Sequence, residues 1–253
     1  MMVPEDDRGL LLGDGLFETI LAVDGVPEHF EAHLQRMIRG CAVIGLDPPS
    51  SEAARTLALE ALAGLGSGRA VVRLTLTAGS GRGLERPPAS VPRLIATASA
   101  APAIQGGARL ATVSLRRNET SPAARLKTLA YLDNVLARVS ARASGADEAL
   151  LLNTQGELAC AAAANLFWIA GERLFTPALE CGVLDGIMRG QVLAAARALG
   201  VEAVEARAGP EALDGAQALF LTNSLIGLRP VLELDGRSLS PHRLIPAISS
   251  RCR

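Results

Sequence analysis

Apolar positions along the chain fall into two rhythms. Leu16 to Val23 (LFETILAV) reads as a strand, the Asp24-Gly25 pair signals a tight turn, and Val26 starts the return. From Glu28 to Gly45 the period changes. Phe30, Leu34, Met37, Ile38, Cys41 and Ile44 lie on one helical stripe, and Gly45 closes it. A second helix is predicted over residues 51–65. Ala70 to Thr77 alternates as a strand until Gly79-Ser80-Gly81-Arg82-Gly83 interrupts it, and residues 93–98 and 108–114 read as two more strands.

Around Arg116 to Pro122 the chain turns polar and carries proline, which predicts a boundary. The expected division is an N-terminal α+β domain over 1–116, a linker over 117–125 and a C-terminal domain over 126–253. In the latter, residues 127–143 are expected to be helical, with Leu129, Leu132, Val135, Leu136 and Val139 apolar. Strands are predicted at 148–153, 158–162, 165–170, 173–176, 218–222 and 228–234, and a helix over 187–199 that ends at Gly200. No repeat of 20–50 residues is present.

With 253 residues, the chain is long enough to bury a core without disulfide staples. A formal net charge of −1 argues against a general nucleic-acid binder, and seven aromatic residues are too few for base-stacking platforms. No run of about 20 apolar residues predicts a membrane span. The acidic opening Met-Met-Val-Pro-Glu-Asp-Asp lacks the pattern of a signal peptide. Cys41, Cys160, Cys181 and Cys252 are scattered, and read as reduced thiols of a cytoplasmic protein. His29 and His33 lie one helical turn apart without a third ligand, so no metal site is expected.

One count changes the picture. Of 25 basic side chains, 24 are arginine, and Lys127 is the only lysine. Codon bias explains the arginines. Any chemistry that needs a side-chain primary amine must use Lys127.

Four stretches give that amine a context: DRGLLLGDGLFETI (6–20, with the preceding Asp), LKTLAYLDNVLAR (126–138), residues 147–189 from DEALLLN to GIMR, and FLTNSLIGLRPV (220–231). In this order they resemble the class IV, or fold-type IV, pyridoxal-phosphate enzymes. These include branched-chain aminotransferases, D-amino acid aminotransferases and 4-amino-4-deoxychorismate lyases. The resemblance implies an α+β fold like that of D-amino acid aminotransferase, with a smaller N-terminal α/β domain and a larger, barrel-like C-terminal one. It also implies a homodimer that binds pyridoxal 5'-phosphate and a small-molecule amine substrate.

Carried over residue by residue, the resemblance makes Lys127 the catalytic lysine. Its amine tethers the cofactor as an imine and, once freed by substrate, moves a proton. It gives the backbone amides of Ile187 and Met188, at a helix start, to the cofactor phosphate. Arg36 is the phosphate guanidinium. Ser224 matches a hydroxyl position near the same phosphate, and reads equally well as an ordinary loop serine. Cys160 stands where relatives place a glutamate against the pyridine nitrogen. Glu157 is not expected to replace it, because residues three apart on a regular strand face opposite ways. A thiol, with an ordinary pKa near ~8.5, is a poorer partner for a ring cation. Cys160 reads alternatively as a small core residue. Ala78 stands where relatives often carry an arginine, and Arg82 is the replacement for holding a substrate carboxylate. Only five residues precede Asp6, where relatives have a further strand.

Within the resemblance, AAAANLFW (161–168) and NSLIGLRPV (223–231) look most like the lyases that convert 4-amino-4-deoxychorismate to 4-aminobenzoate and pyruvate. The alternative is an aminotransferase for branched-chain or D-amino acids. A third reading is a degenerate, non-catalytic member, supported by Cys160 and Ala78 and opposed by Lys127, Arg36 and the helix-start motif.

Overall fold

The computed structural model describes residues 3–88, 90–103 and 106–252. It divides into two compact units, Met1–Ala103 with Leu126–Tyr131, and Ile104–Arg125 with Leu132–Arg253.

The first unit opens with a short helix, α1 (Arg8–Leu12). Asp7 caps it by accepting from the Gly9 and Leu10 amides, and Gly13 ends it at φ 66°. A four-stranded antiparallel sheet follows in the order β2-β1-β3-β4, built from β1 (Gly15–Val23), β2 (Val26–Pro27), β3 (Arg69–Thr77) and β4 (Arg93–Ala100). The expected Asp24-Gly25 turn joins β1 to β2, with both residues at positive φ. Helices α2 (Phe30–Ile44) and α3 (Ser51–Leu62) supply the other half of the core. Ile20, Leu34, Met37, Cys41, Ala54, Val72 and Leu74 meet there. The stripe read on residues 30–44 is the buried face of α2, except that Ile38 and Ile44 are only partly covered.

The second unit holds β5 (Ala108–Arg117), α4 (Pro122–Arg125), α5 (Leu132–Ala143), β6 (Glu148–Asn153), β7 (Leu158–Ala161), β8 (Asn165–Ala170) and β9 (Arg173–Pro177). Further on come α6 (Ile187–Ala198), β10 (Ala203–Ala206), β11 (Ala218–Asn223), β12 (Gly227–Leu234), β13 (Arg237–Ser238) and α7 (Leu244–Ser249). Nine strands form one mixed sheet in the order β10-β9-β8-β11-β12-β5-β6-β7, with β13 added to β12. Period-two alternation buries both faces. Leu166 and Trp168 of β8, and Leu219 and Leu221 of β11, enter one core. Phe167, Ile169, Ala218 and Phe220 enter a second core under α6 and α7. Leu158 and Ala161 of β7 share the first core with β8, although the two strands lie apart in the pairing order, so the sheet curls. The fold class is α+β, as expected.

Three expectations change. Residues 127–131 are not the first turns of a helix. Phe17 donates its amide to the Lys127 carbonyl at 2.8 Å, and Leu129 donates to Gly15 at 3.0 Å. The segment therefore extends along β1, and α5 begins only at Leu132. For the same reason Lys127 lies in the first unit and not in the C-terminal one. Conversely, β5 is wedged between β12 and β6, which assigns residues 108–117 to the second unit. The helix, strand β10 and helix at 8–12, 203–206 and 244–249 were not predicted. No described helix is long and apolar enough to cross a membrane.

Candidate active site

In the first unit the functional groups gather on β1 and the segment beside it. Gly15 allows the close approach: a Cβ there would lie 2.2 Å from the Leu76 carbonyl and 2.8 Å from Leu129 Cδ1. Two residues along, Phe17 lies under the lysine. Lys127 Nζ is 4.2 Å from its ring centroid and 3.5 Å from the Tyr131 hydroxyl, and the Phe17 and Tyr131 rings meet edge to face at 5.0 Å. Arg73 of β3 stacks on the same Phe17 ring at 3.8 Å. The only lysine and the only tyrosine are thus neighbours. Tyr131 and Arg73 were missed by the sequence reading. The signal for Tyr131 was its uniqueness, four residues beyond the unique lysine.

Glu18, next on β1, is 1% exposed and faces α2. It accepts from Arg36 Nε at 2.8 Å and Nη2 at 2.5 Å, and from His33 Nδ1 at 2.7 Å. Burial alone would raise the Glu18 carboxyl, but Arg36 and His33 hold it below the usual carboxylate range. Burial lowers His33 in spite of Glu18, so the imidazole is neutral with its proton on Nδ1. Arg82 is elsewhere: its side chain is 78% exposed and lies 3.6 Å from Glu5. Ala78 is buried, and its carbonyl accepts from Ser90 Oγ.

In the second unit Ile187 and Met188 open the twelve-residue α6 behind Gly186. That N-cap supplies no side-chain acceptor, and the first turn carries no acid. A Cβ at Gly186 would lie 2.0 Å from Asn165 Oδ1. Asn165 pairs in register with Thr222 of β11, whose buried hydroxyl has no hydrogen-bond partner among the described residues. Asn223 ties down the following loop, which holds Ser224, by accepting from the Leu225 and Ile226 amides at 2.9 and 3.0 Å. Uncapped amides, a glycine cradle and an orphaned hydroxyl suit an anion such as a phosphate.

Cys160 is buried in a small cluster with Ala159, Ala178, Cys181 and Val183. The bulge that the sequence did not announce is present. Leu151 pairs with Cys160, but Leu152 pairs with Leu158, leaving Ala159 extra. The face argument against Glu157 therefore fails, since Glu157 contacts Cys181 of the same cluster. Its carboxylate is nevertheless engaged by Asn153 at 2.7 Å and Arg207 at 2.9 Å. Burial pushes the Cys160 thiol up, the nearby Arg117 offsets part of that, and Glu148 adds to it. Arg117 is fixed by the carbonyls of Gly182 and Ala124 and by Asn134.

Lys127 thus lies over an aromatic ring, and α6 begins without a side-chain cap. The amino-transferase class IV family matches residues 15–234, which is most of the chain. The protein belongs to the class IV aminotransferases. It is an enzyme of this pyridoxal-phosphate-dependent family. A relative from Methanocaldococcus jannaschii, named "Putative branched-chain-amino-acid aminotransferase", is 35% identical over 92% of this chain and 83% of its own. The aminodeoxychorismate lyase of Bacillus subtilis is 29% identical over 90% of this chain and 80% of its own. Among solved class IV structures, a "Putative 4-amino-4-deoxychorismate lyase" from Legionella pneumophila has a TM-score of 0.90 at 30% identity. The match covers 98% of this chain and 93% of that one. The fold is thus that of the fold-type IV enzymes.

Proposed function

We propose that this class IV enzyme is a lyase converting 4-amino-4-deoxychorismate to 4-aminobenzoate and pyruvate, a step of folate biosynthesis. The observation that carries this reading is the neutral thiol of Cys160 at the position where relatives have a carboxylate, with Glu157 committed to Arg207. When bound, pyridoxal phosphate supplies an electron sink for the bond-breaking at the amine-bearing carbon. A thiol deepens that sink less than a carboxylate does. Loss of a proton and of the enolpyruvyl group leaves an aromatic ring, so this reaction demands less of the sink than amino-group transfer does.

Lys127 would hold the cofactor covalently, and its freed amine would take the proton from the substrate carbon. Tyr131, 3.5 Å away, would orient that amine, and the Phe17 ring packs against it. Arg36, the Ile187 and Met188 amides and Ser224 would serve the phosphate. The stack of Arg73 on Phe17, beside Lys127, supports Arg73 rather than exposed Arg82 as the guanidinium that would meet a substrate carboxylate.

A second reading, an aminotransferase for branched-chain or D-amino acids, is favoured by the 35% identity to the Methanocaldococcus jannaschii relative. A half-reaction panel separates the two. The loaded enzyme is mixed with single L-amino acids, D-amino acids and aminodeoxychorismate. Release of 4-aminobenzoate with the cofactor absorbance restored supports the lyase. Conversion of the cofactor to its own amine form by an amino acid, with no aromatic product, overturns it.

We also propose a homodimer. Leu132, Val135, Leu136 and Val139 lie on one stripe of α5 and are exposed, at 66, 54, 45 and 59%, while Asn134, Ala137 and Ala141 are its buried face. An amphipathic helix with its apolar side outward calls for a second copy to cover it. The four free thiols support a cytoplasmic enzyme.

A further inference from the structure

A carboxylate forked onto a guanidinium meant for an anion would at first sight compete with that anion. The geometry around Glu18 indicates a different role. Glu18 engages Arg36 side-on, through Nε at 2.8 Å and Nη2 at 2.5 Å, which fixes the plane of the guanidinium against β1. His33 and Arg36 are three residues apart on α2, one above the other over β1, and both reach the same carboxylate. Oε2 is shared between the His33 N–H and Arg36, which draws charge from that oxygen and leaves the guanidinium less fully neutralised. The side chains of Glu18 and His33 are 1% exposed and that of Arg36 is 11% exposed, so the three have little room to rotate. A long arginine normally loses rotamer freedom when it engages an anion, and here that freedom is already gone.

We propose that Glu18, steadied by His33, is a positioning residue that presets the plane of Arg36 for a phosphate dianion. The inference rests on Arg36 serving the cofactor phosphate.

The test compares binding of pyridoxal phosphate and of pyridoxal, which lacks the phosphate, to the full-length apoprotein. Dissociation constants come from absorbance titrations at one pH, and thermal melting of each apoprotein controls for folding. Wild type binds the phosphorylated form more tightly. Glu18→Gln is expected to weaken pyridoxal phosphate by on the order of ten- to a hundredfold, by analogy with the loss of a group that orients a metal ligand. Its affinity for pyridoxal stays within about twofold of wild type. Unchanged affinity for pyridoxal phosphate, or equal weakening toward both compounds, overturns the proposal. His33→Leu leaves Arg36 and Glu18 in place, and a loss of several-fold confined to the phosphorylated form supports the proposal even if Glu18→Gln fails to fold. A His33→Leu variant with wild-type preference then overturns it. Arg36→Ala separates the two layers: if it keeps the preference for the phosphorylated form, the assignment of Arg36 itself falls, and the role of Glu18 with it.

Discussion

Lys127→Arg is expected to keep the fold and abolish covalent cofactor attachment. Arginine can stack on Phe17 as lysine does, so stability should change by about 0.5 kcal/mol or less. Its delocalised guanidinium forms no exchangeable imine. Borohydride reduction followed by intact mass should show the cofactor adduct on wild type and none on the variant. The Glu18 cluster makes a pH prediction for the apoprotein. An unfolded histidine titrates near 6.5, and buried His33 titrates lower. Between those values the unfolded chain binds a proton that the folded chain refuses, so stability falls as pH drops through 6.5. Glu18 is held below 4.5, and its contribution disappears at still lower pH, through its folded value. Both slopes have the same sign. In urea unfolding at pH 7.5 and 5.5, His33→Gln should flatten the first limb. At this scale Lys127 was legible because its chemistry has no substitute in the chain. Glu18 was not, because a single acidic residue in LFETILAV gives no sign that an arginine and a neutral histidine on another element will converge on it.

At the scale of elements, the start of α6 is the most sensitive point. Gly186→Ala drives a methyl group toward Asn165 Oδ1, and Asn165 is itself tied to the Leu184 carbonyl at 2.9 Å. The expected cost is about 1–3 kcal/mol, with weaker binding of pyridoxal phosphate. Chemical denaturation and a cofactor titration check the two parts separately. Elements specified by local patterns were legible: the Asp24-Gly25 turn, the α2 stripe closed by Gly45, and α6. The segment 126–131 was not, because Leu129 and Leu132 fit helical spacing, whereas its conformation is set by hydrogen bonds to β1 more than a hundred residues earlier. The short helix α1 carries a signal of its own in the sequence, the Asp7 and Gly13 caps. The bulge in β7 has no local signature, since its extra residue, Ala159, sits between Leu158 and Cys160 with no glycine or proline in the strand.

The whole chain is not two successive beads. The first unit is completed by residues 126–131, which return after β5 and α4 have joined the second. Residues 1–116 expressed alone would lack the segment that pairs with the Leu16 end of β1, exposing a strand edge. That fragment is expected to self-associate on size exclusion at concentrations where the intact chain does not aggregate. The α5 stripe bears on assembly. On the proposed homodimer, Val135→Asp combined with Val139→Asp should leave the circular dichroism spectrum intact and halve the sedimenting mass. Sedimentation that does not change would remove α5 from the interface.

The lone lysine has a practical corollary. Amine-selective reagents applied to the folded protein meet the chain's own amino end and a single side-chain nitrogen, half-buried over Phe17. Acylation mass therefore becomes a one-site footprint, in which protection of the second label reports occupancy at Lys127 without any assay of turnover. The same fact governs immobilisation. Coupled to an activated ester surface with that nitrogen shielded, every molecule would be anchored by one end and in one orientation.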